Sequence, residues 1–158
     1  MINAEREILL VQSFEYKLLD KNTKIGGEIC TMRRVVIDMQ SFMFADAAAK
    51  ALRRFDPDYE VYSAENPVQT LDLCFGLLAN VLVMEVTEYA PWDLTERMKL
   101  LKLLKPKLPE CKIVFVVDEN TSKLLADKVR QAKKDGLIDQ FLYSSVSSDY
   151  LVAAIDAV

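Results

Sequence analysis

The sequence contains no histidine among its 158 residues. This absence excludes Ser/His/Asp and Cys/His catalytic arrangements and every imidazole metal ligand, so any chemistry would rest on carboxylates. Cysteine is scarce as well: Cys30, Cys74 and Cys111 are widely spaced and form no CxxC motif. Neither a disulfide framework nor a zinc site is indicated, and we expect three reduced, buried thiols.

Glycine and proline are also few, with four and five residues, which argues against a disordered chain. No apolar run reaches the roughly 18 residues that a membrane-spanning helix needs, and the opening MINAERE does not resemble a signal peptide. The net charge is −4, and the basic residues alternate with apolar ones as on a solvated helix face. We therefore expect a cytoplasmic globular protein that binds neither membranes nor nucleic acid.

From residue 34 onward, short apolar runs alternate with segments of helical periodicity, which is typical of βαβ units and a parallel sheet. The expected strands are RRVVIDM, EVYSA, NVLVMEV, KIVFVV and QFLY. NVLVMEV is too continuously apolar for a one-sided strand and suits the centre of a sheet with both faces covered. The sequence thus predicts a doubly wound α/β domain with five parallel strands and five helices.

Capping patterns predict several helix ends. Asn66 precedes Pro67, the favoured order of an N-cap and a first helical residue. Asp93 and Glu96 form a capping-box-like pair at the head of LTERMKLLKLLK. Gly136 follows KVRQAKK at the position that favours a left-handed end. The segments between the expected strands are therefore predicted to be helices.

Residues 1–33 do not follow this alternation. The stretch EREILLVQSFEYKLLDKNTKIGGEIC indicates two or three strands, with DKNTK as a hairpin turn. We interpret it as an N-terminal β appendage to a domain that spans residues 34–158. Two roles stay open for this appendage: covering an edge of the sheet, or pairing with a second copy in a homodimer.

In an open parallel α/β sheet, the functional crevice lies at the carboxyl ends of the strands, near the point where the strand order reverses. Two acids from different strands at one rim repel each other, so a cation, a proton or solvent is expected between them. The side chains expected at these strand ends are, in chain order, Asp38, Glu85, Val117, Asp118, Tyr143 and Ser144.

NVLVMEVTEYAPWD and LKPKLPECKIVFVV resemble two regions of two-component response-regulator receiver domains: the third strand with its loop, and the approach to the fourth strand. The resemblance covers about residues 34–158 and implies the flavodoxin-like topology of chemotaxis regulators. Receivers of this family pair two acids after the first strand and accept a phosphoryl group on an aspartate after the third. A threonine or serine after the fourth strand and a lysine after the fifth complete the site.

The resemblance places Asp38 at the first acidic position, but Met39 at the second. Glu85 stands at the phosphoacceptor position. Val117 stands at the hydroxyl position and Ser144 at the lysine position. Most of the family's phosphorylation site is therefore missing from this sequence.

Two further positions bear on the resemblance. Phe141 matches the aromatic switch residue on the fifth strand. A shift of the alignment by one residue would bring Asp118 or Tyr143 forward, which would not restore the missing hydroxyl and ammonium groups. Asp118 is therefore interpreted as a second acid of the rim.

The missing groups have a physical consequence for metal binding. Phosphoryl transfer to a carboxylate needs magnesium and fixed positive charge near the phosphoryl oxygens. With methionine at one ligand position, the remaining magnesium ligands would be Asp38, Glu85 and the backbone carbonyl of Thr87. We expect no resident cofactor and at most weak magnesium binding.

Glu85 has two interpretations. Glutamate extends one methylene beyond aspartate, so its charge lies nearer to where a phosphoryl group would be, as a partial mimic of the modified state. Alternatively, Glu85 is a solvent-facing acid at a strand end with no role.

We predict a pseudo-receiver: a non-enzymatic module of two-component or phosphorelay signalling that is not phosphorylated in the usual way. It would bind a protein partner, such as an output domain or a histidine-kinase pathway component, through its last two helices and fifth strand. One alternative is a functional, atypical receiver in which Asp38, Asp118 or Glu85 still organises metal and phosphate. The other is a flavodoxin-like ligand-binding domain or enzyme, which the absence of glycine in DMQSFMFAD disfavours.

Overall fold

The computed structural model describes residues 32–158, in which strands and helices alternate along the chain. The predicted five strands and five helices are confirmed, while the expected N-terminal β appendage lies outside the described residues. None of the described helices is both long and apolar enough to cross a membrane. The elements are β1 (Arg33–Asp38), α1 (Phe42–Phe55), β2 (Tyr59–Ser63), α2 (Pro67–Leu77), β3 (Val81–Val86), α3 (Leu94–Leu104), β4 (Lys112–Val117), α4 (Lys123–Lys134), β5 (Gln140–Tyr143) and α5 (Ser148–Asp156).

The strands form one parallel sheet in the order β2-β1-β3-β4-β5. The strand order reverses between β1 and β3, which are neighbours although β2 follows β1 in the chain. In register, Asp38 of β1 lies beside Met84 of β3, and Glu85 lies beside Val116 of β4. The carboxyl ends of these three strands therefore meet at one edge, where ligands of doubly wound folds bind.

The central strands are buried on both faces because helices cover each side of the sheet. Leu82 and Met84 of β3 enter an apolar layer with residues of α2, α3 and α4. Val81 and Val83 enter a second layer with residues of α1 and α5. The continuous apolar run of β3 thus reflects a strand with no solvent-facing side, as the sequence predicts.

The predicted start of α2 and the turn after α4 are confirmed. Asn66 Oδ1 accepts hydrogen bonds from the backbone N–H groups of Val68 at 3.1 Å and Gln69 at 3.3 Å. Gly136 has a φ of 72°, in the left-handed region that glycine adopts without a steric penalty.

The capping box predicted at the start of α3 is wrong. Asp93 occupies the N-cap position, but its side chain makes no capping hydrogen bond. Glu96 forms an ion pair with Lys99 at 2.6 Å instead of reaching back to the backbone of Asp93. Glu96 therefore pairs with the opposite charge of Lys99, about one turn further along the helix, and does not form the reciprocal cap.

Two of the three cysteines lie in the described part of the chain, and both are buried free thiols. Cys74 lies on α2 and Cys111 directly precedes β4. Burial raises the pKa of the Cys74 thiol well above its ordinary range. Burial likewise raises the pKa of Cys111 to about 11, although the nearby Lys105 ammonium partly opposes this shift.

We predict that these thiols make the protein less stable at alkaline pH. Each folded-state pKa lies above its unfolded value, so the stabilising contribution is complete below about pH 8.5, the ordinary cysteine pKa. As the pH rises further, the unfolded chain ionises first. The free energy of unfolding should fall by up to about 1.4 kcal/mol per thiol per pH unit. Urea denaturation between pH 7 and pH 10 measures this decrease.

The matched control is the Cys74→Ala/Cys111→Ala variant. It is less stable at pH 7 because two cavities form, but its stability should decrease less between pH 8 and pH 10. An equal decrease in both proteins would contradict the prediction.

Candidate functional site

Asp38 ends β1 but lies inside the protein, with 1% of its surface exposed. Placing Asp38 on an open acidic rim is therefore wrong. Its Oδ2 accepts a hydrogen bond from Arg97 Nη1 at 2.6 Å, and its Oδ1 accepts one from Arg97 Nη2 at 3.2 Å. Thr70 Oγ1 donates to the same Oδ2 at 2.5 Å. Apolar layers surround Asp38, so its charge requires these partners in place of water.

Arg97 reaches this carboxylate from α3 and is itself 1% exposed. Its Nε donates to the backbone carbonyl of Glu85 at 2.8 Å, and its Nη2 also lies 3.2 Å from the carbonyl of Asp38. One guanidinium therefore joins the ends of β1 and β3, the two strands at the reversal of strand order. The site therefore contains a cation, although it comes from α3 and not from the lysine position after β5, where Ser144 stands.

Sequence reasoning missed Arg97 and Thr70, although the sequence contains a signal for each. Arg97 is spaced three, four and seven residues from the leucines that form the buried face of α3. Thr70 precedes the buried Cys74 by one helical turn. A polar residue on the apolar stripe of a helix requires a buried partner, and Asp38 supplies it for both residues.

Glu85 is half-buried, and its carboxylate contacts the loop between β1 and α1. Its Oε2 accepts hydrogen bonds from the backbone N–H groups of Gln40 at 2.6 Å and Ser41 at 3.3 Å. Ser41 is the N-cap of α1, so the carboxylate lies at the positive end of that helix. Glu85 is therefore more than a solvent-facing acid, whereas its role as a mimic of a phosphorylated residue stays a prediction.

Three further predicted positions lie at the ends of β4 and β5. Val117 is buried in the apolar layer of α2, α3 and α4. Asp118 is exposed, and its Oδ1 accepts from the backbone N–H of Asn120 at 2.7 Å, as in a local turn. Ser144 is half-buried, and its N–H donates to the carbonyl of Val117 at 2.9 Å. The hydroxyl and ammonium positions are thus occupied by an apolar and a short side chain.

Phe141, at the predicted switch position, is half-buried against the layer of α2, α3 and α4. Its ring meets that of Tyr143 edge to face, with centroids 6.0 Å apart. Arg130 Nη2 of α4 donates to the Tyr143 hydroxyl at 2.6 Å, and Lys133 Nζ lies 5.9 Å from the Phe141 ring centre. These contacts bind α4 to β5.

The proposed magnesium ligands Asp38, Glu85 and Thr87 do not fit the ion in this arrangement. Both oxygens of Asp38 accept hydrogen bonds from Arg97, and one oxygen of Glu85 accepts from backbone N–H groups. Met39, at the second acidic position, packs against the layer of α1 and α5. Across residues 32–158, no group of three or more acidic or thiol side chains is arranged to hold a metal.

We predict that Arg97→Met strongly destabilises the protein because it leaves the Asp38 carboxylate buried without a cation. The expected loss in the free energy of unfolding is about 3–5 kcal/mol. Urea denaturation measures it. The control Lys99→Met removes a solvent-exposed ammonium of the same helix that pairs with Glu96 and should cost about 1 kcal/mol or less.

A second variant separates loss of charge pairing from loss of packing. Asp38→Leu/Arg97→Met removes both charges together and should recover about half or more of the stability lost in Arg97→Met. A double variant that is as unstable as Arg97→Met would contradict an essential role for charge pairing.

We predict that Glu85 holds the β1–α1 loop. In Glu85→Ala, the backbone amides of Gln40 and Ser41 lose a charged acceptor, so their hydrogen exchange should accelerate by about tenfold. Glu85→Gln keeps an acceptor oxygen, so its exchange rates at these two amides should lie between those of the wild type and those of Glu85→Ala. Exchange followed by NMR tests this, with the exposed Glu119→Ala as control. Unchanged rates at both amides would refute the role.

No family model matches the sequence, and a search of curated proteins found no match either. Solved structures of response regulators do match. One from Thermotoga maritima has a TM-score of 0.65 and 16% identity, and the match covers 80% of this chain and 97% of that chain.

Two further matches agree. The chemotaxis protein CheY4 of Vibrio cholerae has a TM-score of 0.65 and 15% identity, with 81% and 99% of the two chains covered. The receiver domain of AraT from Geobacillus stearothermophilus has a TM-score of 0.63 and 17% identity, with 80% and 92% covered. The described part of the chain thus has the five-stranded fold of response-regulator receiver domains.

Proposed function

We propose that this chain is a two-component signalling module that is not phosphorylated through magnesium and acts by binding a protein partner. The observation that supports this proposal is the position of the Arg97 guanidinium, which binds both oxygens of Asp38 and the carbonyl of Glu85. In the family that the sequence resembles, the acid after the first strand serves the metal. In this chain the Arg97 guanidinium takes the place of that metal.

Because their positive charges repel, the Arg97 guanidinium and a magnesium ion cannot both bind at Asp38. A unit charge and a divalent charge about 4 Å apart repel by about 8 kcal/mol at an effective dielectric constant of about 20. The chain would have to expel Arg97 from a site where it is 1% exposed in order to bind the ion. Expulsion would also leave the guanidinium without its three partners.

Arg97 is also unsuited to replace the missing lysine in phosphoryl transfer. Its Nε and both of its Nη atoms already donate to Asp38 or to the Glu85 carbonyl. Val117 offers no hydrogen bond to a phosphoryl oxygen, and Ser144 offers no positive charge. Charge that develops on a transferring phosphoryl group would therefore find few stabilising partners at this site.

We assign Glu85 the role of a permanent ligand of the β1–α1 loop. Its carboxylate binds two backbone N–H groups at the start of α1, which is the kind of site that also binds phosphate. A charge that is always present holds the loop in one arrangement without a modification. On this proposal, the module has one resting conformation that its partner recognises.

The proposed partner surface consists of α4, β5 and α5. Contacts from Arg130 and Lys133 to Tyr143 and Phe141 fix α4 against β5. On the same surface Leu124 and Tyr150 are 66% and 57% exposed, so apolar side chains are available for a partner. We propose an output domain or a component of a histidine-kinase pathway as the partner, in the cytoplasm, with no catalytic role for this chain.

We predict that a small phosphodonor with magnesium adds no stoichiometric phosphoryl group to the protein. Intact-mass spectrometry measures this, with an intact receiver domain treated in parallel as the positive control. A mass gain that requires magnesium and disappears in Glu85→Gln would contradict the proposal and favour an atypical but active receiver.

A magnesium titration tests the cause of the expected inactivity. The fluorescence of Trp92 and the thermal midpoint of the wild type should not respond to millimolar magnesium. In Arg97→Met, the freed Asp38 carboxylate should gain metal affinity, so magnesium should raise the midpoint of this variant alone. Asp38→Asn/Arg97→Met lacks the carboxylate and serves as the matched control.

A further inference from the structure

A groove of about 390 Å³ lies between α2 and α3, and it shares no residue with the proposed partner surface of α4, β5 and α5. Its apolar lining consists of Pro67, Val68, Leu71, Pro91, Leu100 and Leu103. Two of these side chains stand out into solvent, since Val68 is 85% exposed and Leu103 is 60% exposed. Exposed apolar side chains along one groove are typical of a contact surface.

The two walls of this α2–α3 groove are joined beneath it by the Asp38 carboxylate. Thr70 of α2 and Arg97 of α3 both donate hydrogen bonds to Asp38 Oδ2, at 2.5 Å and 2.6 Å. Arg97 also belongs to the lining of the groove. Because its walls are already held together, the groove needs little ordering before a ligand binds, which lowers the free-energy cost of binding.

The exposed apolar side chains of the groove are spaced like the contacts of a helix. Both α2 and α3 follow strands of the parallel sheet and cover the same face, so they run in the same direction. Val68 is the second residue of α2, and Leu103 is the tenth residue of α3. At the rise of an α-helix they lie roughly 12 Å apart along the groove, close to the roughly 10.5 Å between residues i and i+7 of a helix.

The charges beside the groove differ between its two ends. Glu65 directly precedes the N-cap of α2, and Asp72 is exposed in the middle of that helix. Lys107 lies at the other end, with its Nζ 5.0 Å from the ring centre of Phe75 in the last turn of α2. Among the ion pairs of residues 32–158, none includes Glu65, Asp72 or Lys107. The groove is therefore negative where its helices begin and positive where they end.

The lining of the groove favours a helix over an extended segment as its ligand. Apolar side chains offer no hydrogen bond to the backbone groups of an extended segment, whereas a helix pairs its own N–H and C=O groups. Glu96 and Lys99, which also line the groove, pair with each other at 2.6 Å. With 11 residues each, α2 and α3 are about 16 Å long, enough for about three turns of a third helix.

We propose that the α2–α3 groove binds an amphipathic helix of a partner protein, antiparallel to α2 and α3. The apolar stripe of this helix covers Val68 and Leu103. Helices favour acidic residues in the first turn and basic residues in the last turn. In the antiparallel orientation the acidic turn meets Lys107 and the basic turn meets Glu65, so the charges at both ends are complementary. This second partner surface goes beyond the proposed function and does not rest on it.

A phage-displayed library of helical peptides serves as the probe. Each peptide is about four turns long, with leucines at positions i, i+4 and i+7 and a free choice of glutamate, lysine, glutamine or alanine elsewhere. The library is selected against the full chain. Enriched peptides should have glutamate in the first turn and lysine in the last turn.

Fluorescence anisotropy with a synthetic copy of an enriched peptide then locates the binding surface. Val68→Asp and Leu103→Asp should each weaken binding by about tenfold or more, because each places a carboxylate against the apolar stripe. Leu124→Asp makes the same change at an exposed leucine of α4, and Lys102→Glu changes a charge of α3 outside the groove lining. Both controls should bind as the wild type does. Circular dichroism and thermal unfolding establish that every variant is folded.

A charge exchange tests the orientation of the helix. Glu65→Lys/Lys107→Glu reverses the charges at the two ends of the groove. This variant should prefer, by about tenfold, a peptide whose first-turn and last-turn charges are exchanged, whereas the wild type prefers the original peptide. Unspecific adhesion to an apolar surface would not produce this change of preference.

Three outcomes would overturn the proposal: no enriched peptide that binds the wild type with a dissociation constant below about 1 mM, binding that neither Val68→Asp nor Leu103→Asp weakens, or a charge exchange that leaves the preference unchanged. None of these measurements depends on phosphorylation or on the surface of α4, β5 and α5. Failure of this inference therefore leaves the proposed function intact.

Discussion

The arrangement of the site depends on one buried ion pair, between Asp38 and Arg97. A carboxylate sealed beneath helices is tolerated only with a cation and hydrogen bonds on its oxygens, and Arg97 and Thr70 supply both. The same guanidinium holds the carbonyl of Glu85, so the pair also sets the spacing of β1 and β3 where the strand order reverses. One side chain of α3, that of Arg97, therefore both joins the ends of β1 and β3 and balances the negative charge of Asp38.

On the proposed function, permanent charges of the chain stand where an ordinary receiver has transient ones. In an ordinary receiver, a metal and a phosphoryl group come and go, and the domain responds to their presence. Here the cation is Arg97 and the anion bound at the start of α1 is Glu85, both part of the chain. On the proposed function, regulation would then lie with the supply of the partner instead of with modification of this domain.

The sequence predicts the fold well because the fold follows from local patterns. Alternation of apolar runs and helical periodicity requires no knowledge of distant contacts, and the strands lie where that pattern places them. The site instead depends on which side chains bind one another, and a local sequence pattern does not determine that. Glu96 matches a capping box with Asp93 but pairs with Lys99. The spacing of Arg97 shows that it is buried, yet nothing near it in the sequence names Asp38 as its partner.

The separation of Asp38 and Arg97 along the chain, 59 residues, has a consequence for how the domain assembles. Contacts of such long range form late, after the intervening loop has been closed at an entropic cost. A nascent chain that has emerged only as far as β3 would contain an aspartate with no cation beside it. The first half of the domain thus contains an unpaired Asp38 carboxylate until α3 brings Arg97 to it. This requirement favours folding as one cooperative unit over folding in two halves.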